Sequence, residues 1–140
     1  MKKIGLMLAV IVFVSAFHVG TADALPPFKK AFQVKYVDDS GDDMKAAFKS
    51  QSCNTCHVKG EKKNVNNAYG LELAKLIEGN AKMRLKDAKA AGTEDAEKAT
   101  ILAELAAGFT VVEGMDSPSG ETYGARLVAG KLPLDPPPAE

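Results

Sequence analysis

The sequence predicts an all-α fold, in which short helices form one compact bundle. Apolar residues recur at intervals of three and four along most of the chain, which is the spacing of one helix face. No alternation of strand and helix patterns is present, and the chain contains neither an internal repeat nor a nucleotide-binding glycine loop. A chain of 140 residues has the length of one domain.

The chain begins with the three parts of a secretory signal peptide, over residues 1–24. Two lysines form a basic start, residues 4–17 are apolar, and Ala22-Asp23-Ala24 is a small-residue cleavage site. The apolar run is shorter than the roughly 20 residues that a membrane-spanning helix needs. We therefore expect cleavage after this site and a periplasmic or otherwise exported chain with no stable membrane span. A retained membrane anchor is the alternative.

The mature chain should open with an N-terminal arm or short helix over residues 25–41. Phe28, Phe32 and Tyr36 recur every four residues, which places them on one helical face, and Pro27 suits a first helical turn. We expect this segment to pack on the domain.

A second helix is predicted at about 42–52. Met44, Ala47 and Phe48 fall on one of its faces, and Asp42 can cap its positive N-terminal end. This helix runs directly into a group of residues that carries the main functional signal of the chain.

That group is Cys53-Asn54-Thr55-Cys56-His57, which has the spacing of a c-type haem attachment site. Two thiols separated by two residues can hold one edge of a haem by thioether bonds. The histidine that follows can offer an imidazole nitrogen to the iron as proximal ligand. The motif therefore predicts one haem c with its iron, attached covalently through Cys53 and Cys56 and ligated by His57.

Other interpretations of the motif are weaker. A structural zinc site needs four protein ligands, and Cys53 and Cys56 are the only cysteines. A dithiol redox motif belongs to a βαβ pattern that this sequence lacks. A disulfide between the two would close a very small loop and constrain little.

Four more helical segments are predicted after the motif, at 67–77, 81–91, 94–107 and about 120–129. Thr93 is the expected N-cap of the third, and Gly108 is its expected terminator. Residues 110–120 are expected to form a loop with a short extended piece.

In the last of these helices, Tyr123, Leu127 and Val128 are expected to face inward. Residues 133–140 form a tail that is too rich in proline for a packed core.

From about Asp42 to Leu132 the chain resembles class I cytochromes c. The resemblance implies a class I cytochrome c-like bundle of short helices wrapped around one covalently bound haem, with Phe48 as the aromatic residue before the first cysteine. It also implies an axial methionine from a loop that precedes the last helix. Met115 lies in such a loop and is the expected distal iron ligand.

Signal cleavage would leave His57 as the only histidine, so a second histidine cannot be the sixth iron ligand. The alternatives to Met115 are Met83, an open site, and an unusual ligand such as a lysine. The loop proline that commonly supports the proximal histidine in this family is missing, since no proline lies between His57 and Pro118. Four residues are candidates for hydrogen bonds to the haem propionates: Tyr69, Arg84, Tyr123 and Arg126.

The expected function is electron transfer rather than catalysis, with transient docking to redox partner proteins. The chain carries 18 basic and 18 acidic residues, which argues against nucleic acid as a partner. Lys59, Lys62 and Lys63 could form a basic rim that steers an acidic partner. The alternatives are a five-coordinate haem protein that binds a small ligand or reduces peroxide, and a haem subunit of a larger respiratory complex.

Overall fold

A computed structural model of the chain describes residues 25–134. The predicted signal peptide and the last six residues of the predicted tail lie outside the described residues. The α-helices are α1 (Pro26–Phe32), α2 (Asp42–Gln51), α3 (Ala68–Lys75), α4 (Ala81–Ala91), α5 (Glu94–Glu113) and α6 (Tyr123–Val128). No strand forms within this part of the chain, so the all-α prediction is confirmed.

Helix α5 is the central element of the bundle and packs against α1, α3, α4 and α6. Its 20 residues bury Ile101, Leu105, Phe109 and Val112. These side chains are three or four positions apart, so they form one stripe along the helix. The stripe gives the four neighbouring helices a common surface on which to pack.

The predicted end of α5 at residue 107 was wrong. Gly108 lies inside the helix and faces α3, where a Cβ on Gly108 would lie 3.5 Å from Leu76 and 3.6 Å from Leu73. The helix continues because Phe109 and Val112 extend its buried stripe. Their burial outweighs the roughly 1 kcal/mol by which glycine disfavours a helix interior. The extended piece predicted after Gly108 is accordingly helical.

Helix α1 continues as a π-helical stretch, Gln33–Val37, and both pack on the core as the sequence predicted. Phe32 is 2% exposed and its ring stacks on that of Phe48 at a centroid distance of 5.6 Å. The rings of Tyr69 and Phe109 meet Phe32 edge-on, at 6.1 and 6.0 Å. The N-terminal segment therefore supplies a central part of the core.

Helices α4 and α5 are joined by Gly92 and Thr93 and are tied together by one arginine. The Arg84 guanidinium donates to Glu97 at 2.6 Å and to both carboxylate oxygens of Glu104 at 2.9 Å. Thr93 occupies the cap position of α5, but its side chain makes no capping bond there. It donates instead to the carbonyl of Ala88, at 3.4 Å.

Helix α6 packs on the end of α5 at Gly124, where an added Cβ would lie 2.8 Å from the carbonyl oxygen of Glu113. Tyr123 and Leu127 are buried as predicted. Val128 was predicted to face inward, but it is 91% exposed. The helix is short, so its buried face holds only these two large side chains.

The chain remains packed beyond α6. Leu132 and Pro133 are buried, and Arg126 donates to the carbonyl oxygens of Leu132 and Leu134 at 3.4 and 2.8 Å. The first residues of the predicted tail thus belong to the domain.

Candidate cofactor-binding site

The Cys53–His57 motif forms one tight turn at the end of α2. Ser52 adopts a positive φ of 50° and ends the helix, and a 3₁₀ turn follows over Ser52–Thr55. The backbone N–H groups of Cys56 and His57 both donate to the carbonyl of Cys53, at 3.3 and 3.2 Å. Both cysteines carry free thiols.

A loop closes directly behind the motif. His57 and Asn66 form an antiparallel bridge, and the N–H of Val58 donates to the carbonyl of Val65 at 3.0 Å. His57 itself is 6% exposed. The chain between them carries three exposed lysines, one of which, Lys63, reaches back to the side chain of Asn54 at 3.4 Å.

Asn67 joins the motif to helix α3. Its side-chain oxygen accepts from the N–H of Gly70 at 2.9 Å and so caps the helix. Its side-chain nitrogen donates to the carbonyls of Asn54 and Thr55, at 3.2 and 3.0 Å. Its backbone N–H donates to the carbonyl of Cys56 at 3.0 Å. A single asparagine therefore starts α3 and holds three of the five motif residues.

One cavity collects the three predicted site residues. Cys53, Cys56 and His57 line it, and the empty space, including the part open to solvent, is about 610 Å³. The remaining walls are mostly apolar and come from α1, α2, α3, the segment after α3, and α5. They include Phe28, Phe32, Phe48, Leu73, Ile77, Leu105 and Phe109.

Burial in this cavity affects the second thiol of the motif. Desolvation raises the pKa of the Cys56 thiol to about 12, and the neighbouring Cys53 adds to the rise. A thiol with this pKa is protonated at neutral pH, so Cys56 is a weak nucleophile in the folded chain.

None of the described methionines lines the cavity. Met44 is buried elsewhere in the core, and Met83 is 61% exposed. Met115 is partly buried in the turn after α5, where its carbonyl accepts from the N–H of Tyr123 at 3.0 Å. Met115 as distal ligand therefore stays a prediction, and the arrangement of the cavity lends it no support.

The candidate propionate partners are also away from the cavity walls. Arg84 is held by two glutamates between α4 and α5, and Arg126 is held by Glu121 and the chain after α6. Neither they nor Tyr69 and Tyr123 line the cavity.

Two cavity residues were missed by the sequence reasoning. Lys29 lines the cavity from α1, and its ammonium lies 5.9 Å from the ring centroid of Phe48. Asn66 lines it from the far end of the motif loop. Lys29 lies next to the predicted aromatic stripe, which could have identified it, but the position of Asn66 depends on the bridge to His57.

The donor residues and the apolar lining of the cavity are of the kinds that a covalently attached haem needs. Two free thiols and a buried imidazole come from one turn, and aromatic and aliphatic side chains surround them. In the described part of the chain, no three His, Cys, Asp or Glu side chains are grouped so that they could hold a metal ion. Among the described helices, none is long and apolar enough to cross a membrane. No protein-family model, curated protein or solved structure matches this chain.

Proposed function

We propose that this chain is an exported electron-transfer protein that carries one haem c on Cys53 and Cys56, with His57 as the proximal iron ligand. The observation that carries the proposal is that Cys53, Cys56 and His57 line one apolar cavity. When bound, a haem iron supplies a one-electron couple between its ferrous and ferric states.

The chain's own residues hold this group and control its surroundings. The motif turn places both thiols beside His57, and Asn67 ties that turn to α3 by hydrogen bonds of 2.9–3.2 Å. Aromatic side chains of α1 and α2 give the cavity an apolar wall. Apolar surroundings are one of the features by which a protein sets the potential of a bound redox centre.

The motif loop offers a docking surface for a redox partner. Lys59, Lys62 and Lys63 are exposed, and the last reaches the side chain of Asn54 within the motif. Positive charge beside a redox site attracts an acidic surface and speeds encounter at low ionic strength. We therefore propose transient complexes with acidic redox proteins, whose association slows as salt is added.

A second function, in which the haem binds a small ligand or reduces peroxide, is favoured by one observation. No methionine of the described chain lines the cavity, and Lys29 is the one amine that does. A haem held only by His57 would keep an open iron position, and such a protein binds a small ligand or reduces peroxide.

Covalent haem attachment is the first test. The full chain is expressed with a haem-maturation system, and haem is detected on denaturing gels. We expect haem on the wild-type chain and on Asn54→Ala, which keeps both cysteines. We expect none on the Cys53→Ala, Cys56→Ala double variant, and a lost or altered haem spectrum in His57→Ala. A wild-type chain without covalent haem would contradict the proposal.

Carbon monoxide then separates the two functions. A reduced spectrum that carbon monoxide leaves unchanged supports the electron carrier, and a prompt shift supports the ligand-binding protein. If the position is filled, Lys29→Ala and Met115→Ala identify the ligand, because the variant that lacks it will bind carbon monoxide.

A further inference from the structure

Asn66 lies directly opposite His57 in the antiparallel bridge that closes the motif loop. Opposed residues of an antiparallel pair project their side chains to the same side, with Cβ atoms about 4.5–5.5 Å apart. Both side chains line the same cavity. The Asn66 amide is therefore a neighbour of the imidazole.

The amide oxygen of Asn66 has no hydrogen-bond donor within the described chain. Asn66 is 9% exposed, and its Oδ1 atom is buried without a partner there. Leaving a buried carbonyl oxygen unsatisfied costs about 1–3 kcal/mol, so native proteins seldom do so without a reason. An oxygen of this kind in a cofactor cavity points to a donor that becomes available when the site is loaded.

An iron-bound histidine provides such a donor. A histidine that binds a metal through one ring nitrogen almost always donates the N–H of the other nitrogen to an acceptor. This hydrogen bond fixes the orientation of the ring and makes the imidazole a stronger electron donor.

We infer that Asn66 is the positioning residue for His57, and that its Oδ1 accepts the N–H of the iron-bound imidazole. The inference rests on the proposed function, since it requires the haem. Asn66 then favours the ferric state, because a more electron-rich ligand stabilises the higher charge on iron. The residue acts on the iron through His57.

The test compares reduction potentials of the haem-loaded protein. Asn66→Leu removes the acceptor, so its potential should rise. Asn66→Asp keeps the shape of the side chain and supplies a stronger acceptor, so its potential should fall. Asn64→Leu makes the same change at an exposed position of the same loop and should leave the potential unchanged.

Opposite shifts in the two Asn66 variants would support the inference, because a loss of packing alone does not reverse sign with the charge of the substitute. Should Asn66→Leu fail to fold, Asn66→Ala removes the same acceptor with a smaller side chain, and its potential should rise as well. Variants that load haem and keep the wild-type potential would overturn the inference and leave the proposed function intact. A wild-type chain that attaches no haem would instead overturn the proposed function.

Discussion

Gly70 of α3 lies directly against the backbone of Cys56, so that a Cβ at position 70 would overlap the Cys56 carbonyl oxygen. The same carbonyl accepts the N–H of Asn67 at 3.0 Å. Helix α3 therefore begins on the motif turn, at a separation that only glycine permits. The helix supplies Leu73 and Ala74 to the cavity, so this contact joins the attachment motif to one cavity wall.

Gly70→Ala should destabilise the protein by about 1–3 kcal/mol or more, because the obstructing atom belongs to the backbone and cannot rotate away. Denaturant unfolding of the haem-loaded protein measures this loss. We also expect a smaller haem-loaded fraction.

Gly108→Ala is the matched control, and it should have the opposite sign. The added methyl group would lie at ordinary contact distance, 3.5 Å from the nearest side-chain atom, and alanine favours a helix interior by about 0.5–1 kcal/mol. Equal losses of stability in the two variants would show that the contact between position 70 and Cys56 does not require glycine.

Asn67→Ala should cost about 2 kcal/mol, because it removes the cap of α3 and two hydrogen bonds to the motif. Asn80→Ala removes only a cap, that of α4, and should cost about 1 kcal/mol. Thermal or denaturant unfolding gives both values. The prediction fails if the two losses are the same, since the bonds to Asn54 and Thr55 would then contribute nothing.

Arg84→Ala should destabilise the protein by about 1–3 kcal/mol. It removes hydrogen bonds of 2.6–2.9 Å to Glu97 and Glu104 and leaves the two carboxylates close to each other. The hydrogen bonds from Arg84 also lower the pKa of Glu104, so part of this loss should vanish in acid, where that carboxylate is protonated.

Lys75→Ala serves as the comparison for Arg84→Ala. The Lys75–Glu72 ion pair spans 2.7 Å but lies on the surface. Exposed pairs contribute less than about 1 kcal/mol. If Lys75→Ala destabilised the protein as much as Arg84→Ala, the partly buried position of Arg84 would not be the source of its effect.

Cys56 should react slowly with iodoacetamide in the folded, haem-free chain. Burial raises the pKa of its thiol to about 12, so little thiolate exists at neutral pH. Its rate should be at least tenfold lower than in the urea-unfolded chain, and it should increase as the pH is raised towards 11. Mass spectrometry of the labelled peptides follows the reaction, and equal rates in the two states would refute the prediction.

Stability should fall above about pH 10 because of Tyr36. Burial, together with a 2.6 Å hydrogen bond to Glu113, raises the pKa of the Tyr36 hydroxyl well above its ordinary value. The folded state therefore keeps this proton at a pH at which the unfolded state, with a tyrosine pKa of about 10, loses it. The contribution of Tyr36 to this loss approaches about 1.4 kcal/mol for each pH unit. Burial also raises the pKa of the Tyr69 hydroxyl, so Tyr69 adds to the loss.

Tyr36→Phe tests the assignment. The variant should lose about 1–2 kcal/mol at pH 7, where the hydrogen bond to Glu113 is intact. Above pH 10 its stability should decline less steeply than that of the wild type in chemical denaturation. Parallel curves for the two proteins would mean that another group governs the alkaline loss.

The sequence by itself determined the helical class, the start of α2 at Asp42, the break at Gly92 and the composition of the motif turn. These features depend on neighbours within a few positions: apolar spacing, acidic residues in the first turn of a helix, a left-handed glycine, and two cysteines next to one histidine. Such interactions act within one helix or one turn, so they can be inferred from the order of residues.

Only the tertiary structure decided where α5 ends, which side chains of α6 are buried, and which residues surround the motif. Gly108 disfavours a helix by about 1 kcal/mol, but the burial of Phe109 and Val112 against distant elements outweighs this local preference. Lys29 and Asn66 reach the cavity, whereas Met115 does not line it, because long-range packing of α1 and the bridge at His57 determine its walls. The energy of those contacts comes from residues far apart in the chain, so it cannot be inferred from a local sequence pattern.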